Sequence, residues 1–456
     1  MDSKFLADLE QVVGADGIVR NDAELLTYES DGLAKLRSKP GVAVLPRSVV
    51  EVQGVLRLCH ATGVPFVARG QGTGLSGGAM PHPDGVLIVM TRMNRILEID
   101  IPNQRITVEP GVMNLDVTNA VSSDGYYYAP DPSSQVICSI GGNFAENSGG
   151  AHCLAHGTTT NYVVGLEVVI AGGQQIWLDG PASESEGYDL RGVMVGSEGT
   201  LGIVTKIALK LRRKPEAVKT LLASFSGVFD AGKAVTTIIE AGILPVALEL
   251  MDKMTVQAVE AALHPGFPTN AGAVLLVETE GVIEGLGAEM DQIQEICNQS
   301  ALETRLAESP DEQAALWRGR KGARTVLGSL RPNYYVHDAV VPRSKVPEAL
   351  EAIQQVANKY KIPVATYLHA GDGNIHPNVL FDASNSEEED RAMSAGHEIL
   401  QICLKMGGVL SGEHGIGLEK RAFMDESLTP EDQAAMQVLE TVFDPNSGLL
   451  VEPATR

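Results

Sequence analysis

Two short runs of this 456-residue chain gather residues that can do chemistry. Residues 368–376 read L-H-A-G-D-G-N-I-H and residues 411–417 read S-G-E-H-G-I-G. His369 and His376 stand seven apart, a spacing that would share a helix face, but Gly371 and Gly373 argue for a loop that folds both imidazoles towards one centre. With Glu413 they make two imidazole nitrogens and one carboxylate oxygen. That set suits a divalent transition metal such as zinc, manganese or iron, with positions left open for substrate. The alternative is a pair of loop histidines bonded to backbone.

Three other stretches are crowded with glycine. Arg69–Gly78 (R-G-Q-G-T-G-L-S-G-G) follows an apolar strand, and Gly72, Gly74 and Gly77 satisfy G-x-G-x-x-G. A Rossmann site needs a helix immediately afterwards, and Pro81, Pro83 and Gly85 forbid one. The loop can still offer backbone amides to a phosphate, because glycine allows close approach and positive φ. The second stretch runs from Asp131 and Ser134 through residues 138–150, with Ser139, Gly141, Gly142, Asn143, Asn147 and Gly149. The third, residues 196–203 with Glu198, Gly199 and Ile203, opens a strand. Three such loops in one domain suit a long ligand with a diphosphate and a planar ring.

The elements that must position these loops read as α+β. Residues 1–215 alternate short strands (41–45, 64–68, 85–90, 96–99, 105–108, 163–170, 174–178, 201–210) with helices at 48–62 and 114–124. The composition changes near Pro215: 17 basic and 23 acidic residues precede it, and 18 basic and 35 acidic follow. Residues 216–406 read as strands at 219–225, 245–251, 272–280, 334–341, 364–369 and 375–381. Helices are expected at 228–241, 283–303, 345–360 and 386–406, giving an open antiparallel sheet covered by helices on one face. Residues 407–456 carry the Glu-His loop, return to the active site and end in a helix at 429–442.

The net charge of −23 argues against nucleic acid or an anionic membrane as partner. No apolar run approaches the roughly 18–20 residues of a membrane span, and the first residues show no signal-peptide pattern, so a cytoplasmic protein is expected. The five cysteines contain no C-x-x-C, and at least four are expected to be plain buried thiols. Cys153 and His156 read as structural, Trp317 as a core anchor and residues 387–390 as a solvated helix start. His337 could face substrate or merely pack.

The order Pro46, R-G-x-G-T-G-x-S-G-G, P-D-P-S-S, S-I-G-G-N and G-S-E-G-T-L-G-I resembles the vanillyl-alcohol-oxidase superfamily. Within it, the chain resembles the FAD-binding subunits of bacterial glycolate oxidases and their relatives, the FAD-linked D-lactate and D-2-hydroxyglutarate dehydrogenases. The resemblance implies a two-part flavin-binding domain and an antiparallel-sheet substrate (cap) domain. It implies FAD held by Pro46, by Arg69, Gly70, Gln71, Gly72, Thr73, Gly74, Ser76 and Gly77 at the pyrophosphate, by residues 139–150 at the ribityl and ring, and by Glu198–Ile203 at the adenosine. The first loop has neither His nor Cys, so the flavin should be noncovalent. His369, His376 and Glu413 match the metal ligands of relatives that hold a metal, and His414 matches their active-site base. Arg320, in L-W-R-G-R, matches a substrate-contacting Arg, and Asn378 matches a substrate-side residue.

The implied reaction is oxidation of a small 2-hydroxy acid, glycolate or D-lactate, to the 2-oxo acid. A neutral imidazole takes the hydroxyl proton as hydride leaves for the flavin. A Lys that 2-hydroxyglutarate enzymes carry corresponds here to Val336, which favours the smaller substrate. Iron–sulfur and second flavin-type subunits are the implied partners, with any membrane association through them. The rival reading is a noncatalytic flavin-binding subunit, and retention of His369, His376, Glu413, His414 and Arg320 weighs against it.

Overall fold

The computed structural model describes residues 1–33, 35–178 and 187–445, so the end of the expected C-terminal segment, 446–456, lies outside the described residues. The chain divides into two compact units. The first comprises Met1–Gly149, Thr158–Lys214 and the residues from Glu413 onward, and the second comprises Gly150–Gly157 and Pro215–Gly412.

In chain order the first unit's strands are β1 (Ile18–Val19), β2 (Val42–Val44), β3 (Phe66–Arg69), β4 (Val86–Val89), β5 (Ile96–Asp100), β6 (Arg105–Val108), β7 (Tyr126–Tyr127), β8 (Val163–Val169), β9 (Gln175–Leu178), β10 (Ile203–Lys210) and β11 (Arg212–Arg213). β2, β4 and β3 run parallel, with β1 antiparallel at the edge. β5-β6-β10-β8-β9 form an antiparallel sheet, and β7 pairs with β11. Successive strands that run parallel need a crossover, and the Val49–Thr62 helix supplies it from β2 to β3, which flank β4. Ser48 caps its start by accepting the Glu51 amide, Gly63 ends it at φ 67°, and Val52, Val55, Leu56 and Cys59 are buried at helical spacing. They pack with Val42, Val44, Phe66 and Ile88 and with Phe5, Leu9 and Val13 of the Ser3–Val13 helix. A second core joins Ile106, Leu166, Ile207 and Leu209 to Val117, Ile140 and Phe144.

The second unit adds β12 (Ala217–Phe225), β13 (Ala247–Asp252), β14 (Ala273–Gly281), β15 (Glu303–Leu306), β16 (Asn333–Val336), β17 (Ala339–Val340), β18 (Val364–His369) and β19 (Asn374–Phe381). They form one antiparallel sheet in the order β15-β12-β14-β13-β18-β19-β16, with β17 also on β19. The expectation of helices on one face is corrected, because both faces are covered. Leu222, Met251, Val274, Leu276, Ala365, Tyr367 and Leu380 share a core with Val256 and Val259 of the Lys253–Leu263 helix and with Leu316, Ala323 and Leu327 of the Pro310–Leu327 helix. The alternate residues, among them Leu221, Ala223, Leu250, Leu275, Leu368 and Val379, are equally buried. Side chains alternate across a strand, so these belong to the opposite face. The helices Val228–Glu240, Ile283–Asn298, Val346–Tyr360 and Ser386–Lys405 cover it.

Three further expectations change. The helix expected over 283–303 stops at Asn298, and the chain turns back as β15. The strand expected over 334–341 is two strands, interrupted at His337 and Asp338. The second glycine-rich stretch contains a short helix, Ile140–Glu146, which Ser139 starts by accepting the Gly142 amide.

Candidate functional site

The first unit gathers the glycine loops expected to hold FAD. The first leaves the end of β3 at Arg69, whose guanidinium is buried, donates to the Tyr28 carbonyl and lies 6.0 Å from the Tyr28 ring. Burial pulls its pKa down, while the charge of Asp31 supports the cation. Gly72 and Gly77 adopt φ values of 70° and 79°. Gly70 is required by crowding, since a Cβ there would fall 2.5 Å from Ser139 Oγ, so the first loop and the start of the Ile140–Glu146 helix touch. Gln71, Thr73 and Gly74 are half-buried, and Ser76 is fully buried with its hydroxyl on Glu146. Pro46 is buried just beyond β2.

In the second loop Ser134 accepts the Ile137 and Cys138 amides, and Asp131 is half-buried. Gly141 lies against Pro110, and Gly149 is buried. Asn143 Oδ1 accepts from Asn114 Nδ2 at 2.9 Å, so this amide is part of a buried network. Asn147 sits at φ 51°, where it ends the helix, and its Oδ1 accepts the Thr158 hydroxyl and the Thr160 amide. In the third loop Gly199 has φ 76° and Ile203 begins β10. Ser197 Oγ there is buried without a hydrogen-bond partner among the described residues. An orphaned hydroxyl beside crowded glycines is what a polar ligand would satisfy, so the loops fit a flavin nucleotide.

Glu198, in the same loop, also holds a distant part of the chain. Its Oε1 accepts the Ile416 amide and its Oε2 the Gly417 amide, each at 2.8 Å. The carboxylate therefore holds the loop that follows Glu413 and His414. Leu418 and Glu419 donate their amides to the Ser76 carbonyl, and the fully buried Lys420 donates to the Gly415 carbonyl. Gly415 and Gly417 have positive φ, and a Cβ on Gly415 would collide with the Glu146 carboxylate. Burial raises the pKa of both Glu146 and Glu198. The neighbouring negative charge of Glu198 pushes Glu146 up further. Glu413 and His414 are neighbours here, with His414 Nε2 4.0 Å from Glu413 Oε1.

The second unit carries the two histidines on one sheet face. Cross-strand register pairs Glu249 with His369, Tyr367 with His376 and Ala365 with Asn378. Opposed residues point to the same side, so Glu249, Tyr367, His369, His376 and Asn378 share the face that the Pro310–Leu327 helix covers. The His369 and His376 rings are 5.1 Å apart and nearly perpendicular, and both residues are buried. They lie at the end of β18 and within β19, on either side of the 370–373 turn, rather than in a loop.

Behind them stand two acids that sequence reasoning missed. Glu249, fully buried, takes His369 Nδ1 at 2.8 Å and forms an ion pair with Arg320. Asp338, also fully buried, lies 3.9 Å from His376 Nδ1 and accepts the Ser411 hydroxyl and the Gly412 amide. A lone Glu in the apolar run 246–251 was the available signal, because an unpaired buried charge is too costly to keep. Arg320 lies 4.9 Å over the Tyr367 ring, and its Nε has no hydrogen-bond partner among the described residues. Asn378 Nδ2 donates to the carbonyls of Ala365 and His376, and its buried Oδ1 has no hydrogen-bond partner among the described residues. Val336 is opposite Asn378.

The weaker expectations resolve on geometry. His337 packs edge-on to Tyr335 and against the Ser386–Lys405 helix, where Gly396 leaves room for its ring. Its neighbour Val336 faces the site, so His337 points away from it. His152 and His156 pair with Glu278 and Glu280, and Trp317 bonds Glu278 and stacks near His152. Cys59, Cys138, Cys297 and Cys403 are buried free thiols, and burial pushes Cys59, Cys297 and Cys403 up to about 12. Among the described residues no helix is long and apolar enough to cross a membrane.

Two family descriptions match, an FAD binding domain over residues 40–179 and an FAD linked oxidase C-terminal domain over residues 214–450. The chain is similar to the glycolate oxidase subunit GlcD of Escherichia coli, 43% identical over 449 residues, covering 98% of this chain and 90% of the relative. GlcD of Bacillus subtilis is 42% identical, with 96% and 94% covered. The D-lactate dehydrogenase of Anaerostipes hadrus is 32% identical, with 90% and 88% covered. Among solved structures, p-cresol methylhydroxylase with substrate bound shares the fold, with a TM-score of 0.82 at 17% identity over 98% of this chain and 96% of that one. The matched domains, these identities and the flavin-side loops place the chain in the FAD-linked oxidase family, as an FAD-dependent oxidoreductase.

Proposed function

We propose that this enzyme oxidises a small 2-hydroxy acid, glycolate or D-lactate, to its 2-oxo acid with noncovalent FAD. The relatives named for glycolate and D-lactate support the substrate class. The observation that carries the reading is the pair of buried polar atoms on the histidine face: Arg320 Nε can donate to a carboxylate, and Asn378 Oδ1 can accept from a hydroxyl. Val336 puts an apolar side chain opposite Asn378, which favours a substrate without a distal carboxylate over D-2-hydroxyglutarate.

In this reading Arg320 orients the substrate carboxylate, and burial around it excludes the water that would weaken the pairing. His414 takes the hydroxyl proton on one imidazole nitrogen as the Cα–H bond breaks, a role open to a neutral imidazole through its ring lone pair. Bound FAD supplies the two-electron acceptor. By residue type the expected donors suit a divalent metal: His369 and His376 would supply imidazole nitrogens and Glu413 a carboxylate oxygen. Such a metal supplies Lewis acidity towards the hydroxy acid.

The relatives named as oxidase subunits support a multisubunit setting, and the proposed recipients of the electrons are an iron–sulfur subunit and a second flavin-type subunit. The purified flavoprotein, mixed anaerobically with glycolate, D-lactate and D-2-hydroxyglutarate in turn, should lose its oxidised-flavin absorbance with one of the first two. No bleaching with any of the three would sink the proposal.

A further inference from the structure

Glu249 is buried completely, yet no step above uses it. It lies in the middle of β13, opposite His369 on β18, and both its carboxylate oxygens lie within hydrogen-bond reach of His369 Nδ1, at 2.8 and 3.0 Å. The same carboxylate is paired with Arg320, which projects from the Pro310–Leu327 helix on the covered face. A carboxylate cannot donate, so His369 Nδ1 must carry the hydrogen and the lone pair must reside on Nε2. The Arg320 guanidinium offsets the buried carboxylate charge.

We infer that Glu249 is a positioning residue that fixes two functional groups at once, setting His369 as the Nε2-ligating tautomer and aiming the Arg320 guanidinium. This rests on the reading of His369 as a metal ligand and Arg320 as the substrate clamp, and it goes further by making the two interdependent. An amide at position 249 would break the arrangement specifically. Gln can accept from Arg320 through its oxygen, but its nitrogen presents a donor to His369 Nδ1, which then has to accept. The hydrogen moves to Nε2, and that nitrogen can no longer ligate. Histidine ligands held by a carboxylate depend on it, and loss of such a partner typically weakens metal affinity about 10–100-fold.

The test is a metal titration of the full FAD-loaded protein after chelation, with zinc and manganese as probes, comparing wild type with Glu249→Gln. The expected result is a metal Kd weakened about 10–100-fold, with flavin content unchanged. Because Glu249→Gln leaves Arg320 without its counterion, the double variant Glu249→Leu/Arg320→Met, which offers His369 Nδ1 no acceptor and leaves no unpaired guanidinium, is measured alongside. It should keep the flavin spectrum and thermal transition of the wild type while showing the same weakened Kd. A purely structural role would lower flavin content and Tm in step with metal affinity, and would overturn the inference. So would variants that bind metal as tightly as wild type. A wild type that binds neither metal would overturn the metal reading and this inference with it, whereas substrate bleaching would still report on the oxidase reading independently.

Discussion

Glu249 and Glu146 are both carboxylates withdrawn from water, and they are accommodated in opposite ways. In the second unit Glu249 meets a guanidinium and an imidazole N–H, so its charge is matched by donors on either side. In the first unit Glu146 meets another carboxylate, that of Glu198, and both titrate above the ordinary glutamate value of 4.5. Lys420 pulls both in the other direction without cancelling the effect of burial. The matched arrangement can hold neighbouring groups in one geometry. The like-charged one is a place where a proton is retained.

The contrast can be broken at its strongest point. Arg320→Met leaves the Glu249 charge buried without its cation, and should cost about 3–5 kcal/mol in urea unfolding. Adding Glu249→Gln should recover much of that loss, and a double variant no more stable than Arg320→Met would show that the two residues are not coupled. Next in size is Glu198→Ala, which strands the Ile416 and Gly417 amides. About 2–3 kcal/mol of stability should disappear, and kcat should fall about tenfold or more because the loop bearing His414 loosens. A rise in KM alone, with kcat intact, would detach Glu198 from the base.

Glu146→Gln should act with the opposite sign to Arg320→Met. A carboxyl raised in the folded state contributes stability that is complete below its ordinary value of 4.5 and is lost as pH rises through the raised one. Melting curves of wild type and Glu146→Gln should therefore diverge as pH increases, with the variant the more stable at alkaline pH. Parallel curves would mean that Glu146 keeps no proton. Smallest is Ser309→Ala. Ser309 caps the helix that carries Arg320 by accepting the Glu312 amide, and its loss should cost about 1 kcal/mol without altering the metal Kd of the Glu249 site.

Much of the scaffold was legible because periodicity reports burial directly. β12, β14, β18 and β19 lie within a few residues of their expected positions, since apolar and β-branched runs bounded by turn residues have few other readings. The Lys253–Leu263 helix was missed because Met254, Thr255 and Val256 continue the character of β13, and only the Asp252 cap marks the change. The Ile140–Glu146 helix was hidden by Gly141 and Gly142, whose low helix propensity is overridden by packing of Ile140 and Phe144. At the site, residue types pointed to His369, His376 and His414. Partner choice was not legible: that Glu249 would meet His369 depends on the register of β13 against β18, over a separation of 120 residues.

One feature of the connectivity constrains how such a molecule can be made. Gly150–Gly157 belongs to the second unit although the sequence on both sides of it belongs to the first. Its Leu154 fills the space that Gly371 leaves open, and His152 and His156 bind acids of β14. The first unit in turn waits for Leu418 and Glu419 to reach the Ser76 carbonyl, more than 340 residues later in the chain. During synthesis, therefore, the first unit cannot reach its final contacts when its own main stretch emerges from the ribosome, whereas the second has all its segments once Gly412 is made. The first unit must mature near the end of translation, and cutting the chain at Lys214 and Gly412 should release a fragment that lacks Gly150–Gly157 and whose β14 face is bare rather than a self-sufficient domain.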